Sequence, residues 1–372
     1  MTQLSLSSLG ERALIRRITS RLATSLLTPP WVLVGPGDDA AVLEPERGAL
    51  DVLTADAVVE GIHFDRAFVP LDAVGHRALA VNLSDLAAMG ARPRAALLSL
   101  VLPEELDVKE VDRLLDGLLA LARVHGVSVI GGNITRSPGP MVIDVTAIGS
   151  VRPRRVLLRS GARPGDDVYV TGSLGAAAVG LRMLQQTVAL ASPTVKAELP
   201  PSPSAPGSVE SGFRVGREDR VAADLAIGPH ECTARYLRPI PRVRAGLLLG
   251  RNRAASSCMD LSDGLADAVL QVAEASNVGM TIDAALLPIA AGVREWHASH
   301  SADAIDTALS GGDDYELLFT VRPSQRGRLR SVRRQLGELP ITKIGVVTRG
   351  RSVRLSGDGP DRELPAGYEH FR

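Results

Sequence analysis

The sequence Gly35-Pro36-Gly37-Asp38-Asp39-Ala40-Ala41-Val42-Leu43 places two adjacent carboxylates between a glycine-proline turn and an apolar run. Residues 31–34 form another apolar run just before the turn, so the acids stand between two segments that are typical of buried strands. Burying an unpaired carboxylate is costly, and buried acids are therefore paired, protonated or bound to metal. This stretch therefore predicts an acidic turn at the edge of a hydrophobic core, and it predicts that the carboxylates of the turn have a specific partner.

Four more acidic clusters occur in apolar or glycine-rich surroundings further along the chain. They are Thr54-Ala55-Asp56, Leu83-Ser84-Asp85-Leu86, Met259-Asp260-Leu261-Ser262-Asp263-Gly264 and Ser310-Gly311-Gly312-Asp313-Asp314-Tyr315. Any one of these aspartates is typical of a turn or a helix cap. Together the five clusters favour convergence on several hard cations, and Mg²⁺ is the metal that suits aspartates without a Cys or His cluster. The pattern predicts an enzyme that binds magnesium and a nucleotide.

The composition limits the class of protein. The chain has 372 residues, 45% of them hydrophobic, so two domains are expected. The 42 basic and 42 acidic residues cancel and aromatic residues make up only 3%, which argues against nucleic-acid and membrane partners. Cys232 and Cys258 are too few for a disulfide scaffold and lack the spacing of a zinc site, and Cys258 is expected in the core. No apolar run approaches the ~20 residues of a membrane span, and no signal peptide is evident, so we expect a cytoplasmic protein.

Alternating periodicities predict layered α/β structure in both halves of the chain. We predict helices over residues 9–27, 73–89, 108–125, 263–277, 293–300 and 325–336, with a further helix from the turn at 172–175 to residue 186; strands are predicted over 31–34, 40–43, 51–55, 95–102, 127–130, 141–148, 167–171, 256–259, 280–282, 315–321 and 341–347. An Arg- and Pro-rich segment at 150–155 divides the chain into domains of residues 1–151 and 152–372. Residues 192–219, rich in proline and serine, predict a flexible insertion with ordered structure resuming at Tyr236.

Two common nucleotide motifs are excluded. Gly35, Gly37 and Ala40 spell G-x-G-x-x-A, but that fingerprint requires a following helix, and Pro45 arrives too soon. The adjacent acids would also repel a pyrophosphate. No G-x-x-x-x-G-K-[ST] sequence occurs, which excludes a P-loop kinase.

Three features have two readings each. The turn at residues 172–175 either binds an anion at a helix N-terminus or simply joins a strand to a helix. His63 is either a surface residue or a ligand contact. Arg159 either has a structural role, in which it ends a strand or pairs with Asp166, or contacts a bound molecule.

Six segments are short individually but specific in combination. They are Gly37-Asp38-Asp39-Ala40, Asp56 with Gly61-Ile62-His63-Phe64, residues 81–90, residues 260–265, residues 310–317 and Gly367-Tyr368-Glu369-His370-Phe371. This combination resembles the thiamine-monophosphate kinase family and spans nearly the whole chain outside residues 192–219. The wider superfamily includes aminoimidazole ribonucleotide synthetase and selenophosphate synthetase. The latter uses a reactive Cys or selenocysteine near its start, whereas this chain has no cysteine before Cys232.

The resemblance implies a two-domain aminoimidazole ribonucleotide synthetase-like fold and a homodimer joined through its N-terminal sheets. It implies transfer of a phosphoryl group from ATP to thiamine phosphate, with several Mg²⁺ ions and without a general base. By motif, the metal ligands are Asp39, Thr54, Asp56, Asp85, Asp260 and Asp263, with Asn133 at a further metal position; the ATP contacts are Gly132 in a phosphate-side loop, Arg159 and Ser262; the substrate contacts are His63 and Asp313.

Four positions depart from the family pattern. Asn133 replaces an aspartate, Ala55 stands where a hydroxyl residue is common, Asp313 replaces the glutamate of some members, and Pro365 replaces an aromatic residue of some members. Two alternatives stay open: another ATP-using member of the superfamily with a different small substrate, and a catalytically weak, nucleotide-binding regulatory protein.

Overall fold

A computed structural model describes residues 5–26, 28–190, 229–300, 303–357 and 359–365. Its helices are α1 (Leu6–Leu9), α2 (Glu11–Ser25), α3 (Leu71–Ala88), α4 (Val108–His125), α5 (Ala176–Leu190), α6 (Pro229–Leu237), α7 (Val243–Asn252), α8 (Leu265–Ser276), α9 (Ala291–Ala298), α10 (Ala304–Ser310) and α11 (Arg326–Leu336). Its strands are β1 (Val32–Val34), β2 (Val42–Leu43), β3 (Leu50–Val59), β4 (Arg92–Pro103), β5 (Ser128–Ser137), β6 (Val142–Val151), β7 (Asp167–Thr171), β8 (Ser257–Asp260), β9 (Gly279–Asp283), β10 (Leu317–Val321), β11 (Ile341–Thr348), β12 (Val353–Ser356) and β13 (Arg362–Glu363). None of the helices within these ranges is both long and apolar enough to cross a membrane.

The N-terminal half is a four-stranded sheet of order β3-β6-β4-β5 with α3 and α4 on one face. Side chains alternate between the faces along each strand. Val58 of β3 is buried with the helices, whereas Leu53 of the same strand is 65% exposed on the other face. The hairpin β1–β2 covers part of that second face, where Val32 packs against Ala95 and Ile130. One face of the sheet is therefore closed by helices and the other is largely open.

The C-terminal half is a seven-stranded sheet of order β13-β12-β9-β11-β7-β10-β8. Most neighbouring strands are antiparallel, while β12 and β9 run parallel. All five residues of β10 are buried, as expected for a strand covered on both faces. Phe319 lies in the core shared with the N-terminal half, and its neighbour Leu318 lies in a second core beneath α8.

Helix α3 forms the common wall between the two halves. It packs against α4 and the N-terminal sheet on one side and against α7 and β8 on the other. A Cβ atom added at Gly246 of α7 would lie 1.9 Å from the carbonyl oxygen of Ala87, so the two helices touch backbone to backbone. The domain boundary at residues 151 and 152 stays a prediction.

The contact between α3 and α4 also depends on glycine. A Cβ atom at Gly117 would lie 1.7 Å from the carbonyl oxygen of Asp72, and one at Gly75 would lie 1.9 Å from that of Leu114. Each helix therefore supplies a glycine where the other brings its backbone closest. Any larger residue forces the helices apart, and the packed interior cannot absorb that shift without loss.

We expect Gly117→Ala to destabilise the protein by about 2 kcal/mol or more, because the added methyl group overlaps a backbone atom that cannot rotate away. Urea unfolding followed by circular dichroism measures the loss. Gly327→Ala in α11 is the matched control, since its Cβ meets nothing closer than 3.9 Å. That control is expected to be neutral or slightly stabilising, and equal effects of the two substitutions would contradict the close approach.

The structure corrects several predicted elements. The first helix is divided at Gly10 rather than continuous over residues 9–27, and β3 continues through Asp56 instead of ending there. Strand β5 runs through Gly132, so the predicted phosphate-side loop is wrong. Pairing with β4 holds this segment extended, and a Cβ at Gly132 would lie 1.8 Å from the carbonyl oxygen of Leu98. Strands β12 and β13 and the start of α6 were not predicted, and the segments 192–219 and 367–371 lie outside the described residues.

Candidate active site

A cavity of ≈ 530 Å³ lies between the two halves, beside α3. Its walls come from β3, α3, α5, α6, the loop after β8 and the loop before β10. Seven of the predicted site residues line it: Asp56, His63, Asp85, Asp260, Ser262, Asp263 and Asp313. Segments that are distant in the sequence therefore converge on one space.

Carboxylates of β3, α3 and β8 face one another in this cavity. Burial raises the pKa of Asp56, and the nearby charge of Asp85 raises it further. Burial and the same Asp85 also raise the pKa of Asp260. The hydroxyl of Thr54 donates a hydrogen bond to Asp85, and that of Ser84 donates one of 2.7 Å to Asp260. These hydrogen bonds hold the carboxylates of Asp85 and Asp260 in place, but they only partly compensate the repulsion between the like charges.

These carboxylates fit a hard cation by their chemistry. Among the described residues, no group of three or more His, Cys, Asp or Glu side chains is already arranged to hold a metal ion. The raised pKa values of Asp56 and Asp260 mean that these groups tend to keep protons, which a cation would replace. Mg²⁺ commonly takes one or two carboxylates and completes its shell with water and phosphate oxygens. The donor set therefore fits Mg²⁺ that arrives together with phosphates.

His63 and Ser262 lie on different walls of the same cavity. The backbone N–H of Val59 donates to Nδ1 of His63 at 3.0 Å, so this nitrogen is an acceptor and the ring proton of the neutral form lies on Nε2. The hydroxyl of Ser262 donates to Asp263 at 3.1 Å. His63 is thus half-buried on a cavity wall, and its role as a ligand contact stays a prediction.

A second cavity, of ≈ 780 Å³, lies over the open face of the N-terminal sheet. Asp39, Gly132 and Asn133 line it, together with Asp144 of β6. Asp144 is paired with the β3 residue next to Asp56, so the two carboxylates project from opposite faces of the sheet. Within one chain Asp39 and Asp56 therefore line different cavities, and their convergence on shared metal ions across a subunit boundary stays a prediction.

Arg159 lies outside the lining of the first cavity. It donates a hydrogen bond of 2.6 Å to Gln271, and its charge opposes the dominant effect of burial on the pKa of Asp260. Asp166 accepts a hydrogen bond of 2.7 Å from Ser256, and no ion pair joins it to Arg159 among the described residues, so the alternative of that pair is not observed.

The turn at residues 172–175 is already occupied by a carboxyl group of the protein itself. The carboxylate of Asp314 accepts hydrogen bonds from the backbone N–H groups of Gly175, at 2.7 Å, and Ala177, at 3.4 Å. These are the donors at the start of α5 that a phosphate would use. The turn therefore caps the helix rather than binding a ligand.

Comparison with known proteins agrees with this geometry. Family models described as AIR synthase related protein match residues 37–151, for the N-terminal domain, and 235–358, for the C-terminal domain. The thiamine-monophosphate kinase of Escherichia coli K12 is 38% identical over 365 residues, which cover 97% of this chain and 98% of that protein. The chain belongs to the thiamine-monophosphate kinase family.

Solved structures of this family are similar along nearly their whole length. The crystal structure of thiamine-monophosphate kinase from Stenotrophomonas maltophilia K279a has a TM-score of 0.74 and 37% identity, covering 92% of this chain and 96% of that one. The structure of AaThiL complexed with AMPPCP and TMP has a TM-score of 0.68 and 30% identity, with complete coverage of both chains.

Sequence reasoning missed several residues around the sites of this kinase family member. Arg77, Tyr236 and Tyr315 line the first cavity, and Asp144 lines the second. A signal was present for Asp144, because it is a lone acid in an otherwise apolar strand. Arg77 carries no such signal, since an arginine within a helix is ordinary until its partner is known.

Burial raises the pKa of Asp314 to about 7. Because the folded pKa lies above the reference value of 3.8, the stabilising contribution of this group is fully present below that value and is lost as pH rises through about 7. We expect Asp314→Asn, which cannot ionise, to gain stability relative to wild type across this interval. Urea unfolding of both proteins at several pH values measures the difference, and parallel stability curves would contradict the assignment.

Proposed function

We propose that this protein transfers the γ-phosphoryl group of ATP to thiamine phosphate, giving thiamine diphosphate and ADP. The observation that carries the proposal is the convergence of Asp56, Asp85, Asp260 and Asp263 with a potential substrate wall at His63 and Asp313. Two phosphate-bearing anions must meet in this reaction. A cavity that gathers carboxylates able to hold cations between two domains suits that requirement.

The acceptor phosphate explains why the site needs no general base. Its oxygen is already anionic near neutral pH, so attack on the γ-phosphorus is direct and in line, with no phosphoenzyme. The protein contributes orientation and exclusion of water, since the reactants are held between the loop after β8 and the face of α3. We assign acceptor contacts to His63 and Asp313, and ATP contacts to Ser262, Arg159 and Gly132.

Magnesium would be held by the acids of the first cavity. We assign Thr54, Asp56, Asp85, Asp260 and Asp263 as ligands, and the hydroxyl of Thr54 also donates a hydrogen bond to Asp85. When bound, Mg²⁺ would neutralise negative charge on the phosphates of the two reactants.

We propose a homodimer formed through the open face of the N-terminal sheet. This face exposes Leu53, and the hairpin beside it exposes Leu33 and Val42, an apolar surface that is unusual for a monomer. The second cavity lies on the same face, so the assigned roles of Asp39 and Asn133 as metal ligands, and of Gly132, depend on a second subunit.

We expect Leu53→Asp to convert the dimer to monomers, because each protomer would bury a carboxylate opposite its symmetry mate. Light scattering coupled to size exclusion measures the mass. Leu286→Asp is the control, since this leucine is 45% exposed in the C-terminal half. An unchanged mass for Leu53→Asp, or a monomeric wild type, would contradict the interface.

The remaining proposals concern organisation and location. We propose domains of residues 1–151 and 152–372, since each half has its own sheet. We also propose a cytoplasmic location, where ATP is available and the free thiols of Cys232 and Cys258 remain reduced.

A coupled assay with purified protein, ATP and Mg²⁺ tests the function. We expect ADP release that depends on thiamine phosphate and stops when Mg²⁺ is chelated. ADP release with another small phosphate acceptor but not with thiamine phosphate would point to a different substrate. ATP binding without any turnover would favour a regulatory protein.

A further inference from the structure

Arg77 is a charged residue with only 2% of its surface exposed, at the edge of the first cavity. Its Nη1 lies 2.9 Å from Oδ1 of Asp313, and its Nη2 donates to the backbone carbonyl of Tyr236. The guanidinium carbon also lies 4.4 Å from the centre of the Tyr236 ring. One side chain of α3 therefore ties together α6 and the loop before β10, which are two further walls of the cavity.

The two carboxylate oxygens of Asp313 differ in their surroundings. Oδ1 is contacted by two donors: Nη1 of Arg77 lies 2.9 Å from it, and the hydroxyl of Tyr315 donates a hydrogen bond of 2.9 Å to it. From the residues that the structure describes, Oδ2 accepts no comparable bond, and the side chain is 34% exposed. Two donors on one oxygen fix the rotation of the carboxylate and leave the other oxygen available to a molecule in the cavity.

The backbone of this loop is held in an unfavourable conformation. Asp313 has a φ of 67° and Tyr315 a φ of 49°, a region that residues with side chains rarely adopt. The N–H of Asp313 donates to the carbonyl of Ser262 at 2.7 Å, and that of Tyr315 donates to the carbonyl of Leu261 at 3.0 Å. Strain of this kind persists only where surrounding contacts fix it, and it is concentrated at functional sites.

We infer that Arg77 and Tyr315 are positioning residues that present Oδ2 of Asp313 to the cationic ring of the phosphate acceptor. This inference rests on the proposed function. Both residues act through Asp313 rather than by contacting the phosphates of either reactant. Their contribution is to fix the acceptor-binding carboxylate before the substrate arrives, which reduces the ordering cost of binding. Their loss therefore weakens acceptor binding and leaves ATP binding and the transfer step intact.

Tyr315→Phe is the sharpest test, because it removes one hydroxyl and keeps the ring. We expect the KM for thiamine phosphate to rise by up to about tenfold, the ordering cost of one side chain that is no longer fixed in advance, while kcat and the KM for ATP stay within about twofold. Tyr169→Phe, which removes a hydroxyl from β7 far along the chain from this loop, is the matched control. Arg77→Lys keeps the positive charge but cannot contact Asp313 and the carbonyl of Tyr236 with two separate nitrogens. It is expected to raise the KM for thiamine phosphate more than Tyr315→Phe does.

A double-mutant cycle with Asp313→Ala separates positioning from general damage. If Tyr315 acts through Asp313, adding Tyr315→Phe to Asp313→Ala causes no further rise in the KM for thiamine phosphate. Additive losses, an unchanged KM in Tyr315→Phe, or equal rises in both KM values would overturn the inference while leaving the proposed function standing. A wild-type protein without thiamine-phosphate-dependent ADP release would overturn the proposed function, and this inference with it.

Discussion

Asp85→Asn is expected to lower kcat by about 100- to 1000-fold, the scale seen when a group that stabilises transition-state charge is removed. Asp85 lies between Asp56 and Asp260 and raises the pKa of both, so it is central to the acidic group. An amide keeps the shape and an oxygen ligand but removes the charge that would hold a divalent cation. The Mg²⁺ concentration for half-maximal rate is expected to rise in parallel.

The fold should survive this substitution. Removing one of three neighbouring negative charges relieves repulsion, so the melting temperature is expected to stay the same or rise slightly. Asp116→Asn on α4 is the matched control, because Asp116 pairs with Arg21 at the surface and its side chain is 62% exposed. Near-normal turnover in Asp85→Asn would remove Asp85 from the proposed metal ligands.

Glu316→Gln is expected to cost about 3–5 kcal/mol of stability, because it breaks a buried ionic network and leaves cations uncompensated. Glu316 is fully buried and accepts hydrogen bonds from Arg242, Arg235 and the hydroxyl of Thr171. Both carboxylate oxygens are used, and a Cβ atom at Gly172 would lie 1.9 Å from one of them. The site therefore has no spare room in which a changed side chain could rearrange.

The network also predicts a pH dependence. Burial is the largest single effect and would raise the pKa of Glu316, but the charges of Arg242 and Arg235 and the hydrogen bonds from Arg242 and Thr171 together outweigh it and lower the pKa below the reference value of 4.5. The stabilisation is present above that value and is lost as pH falls through the folded pKa. The difference between wild type and Glu316→Gln in urea unfolding should therefore shrink in acid. Glu338→Gln, at an exposed position, is the control, and equal effects of the two substitutions would refute the buried network.

Local sequence was sufficient to predict many of the elements and much of the cavity lining. Asp85 stood out because it is a charge within an otherwise apolar helix, and Asp260 because it ends a buried strand. Both observations depend only on the cost of burying a carboxylate. The faces of the strands were harder to predict. Ala55 alternates with Asp56 and projects from the open face of the sheet, so its departure from the family pattern lies away from the first cavity.

Other residues depended on partners distant in the chain. Arg77 looked like any helical arginine until the loop containing Asp313 was placed against it. The resemblance to the family implied that Gly132 lies in a phosphate-side loop. Its pairing with β4 keeps it extended, and the crowded carbonyl of Leu98 explains why a glycine is required there.

The amino-acid sequence alone determined the alternation of helices and strands, the family, and which acids lie among apolar neighbours. These depend on hydrophobic periodicity and on motifs a few residues long. Only the tertiary structure decided that Asp56, Asp85, Asp260 and Asp263 share one cavity while Asp39 lies over the opposite face of the sheet. The physical reason is that helices cover one face of the N-terminal sheet, and packing between distant segments, rather than local preference, determines which face that is.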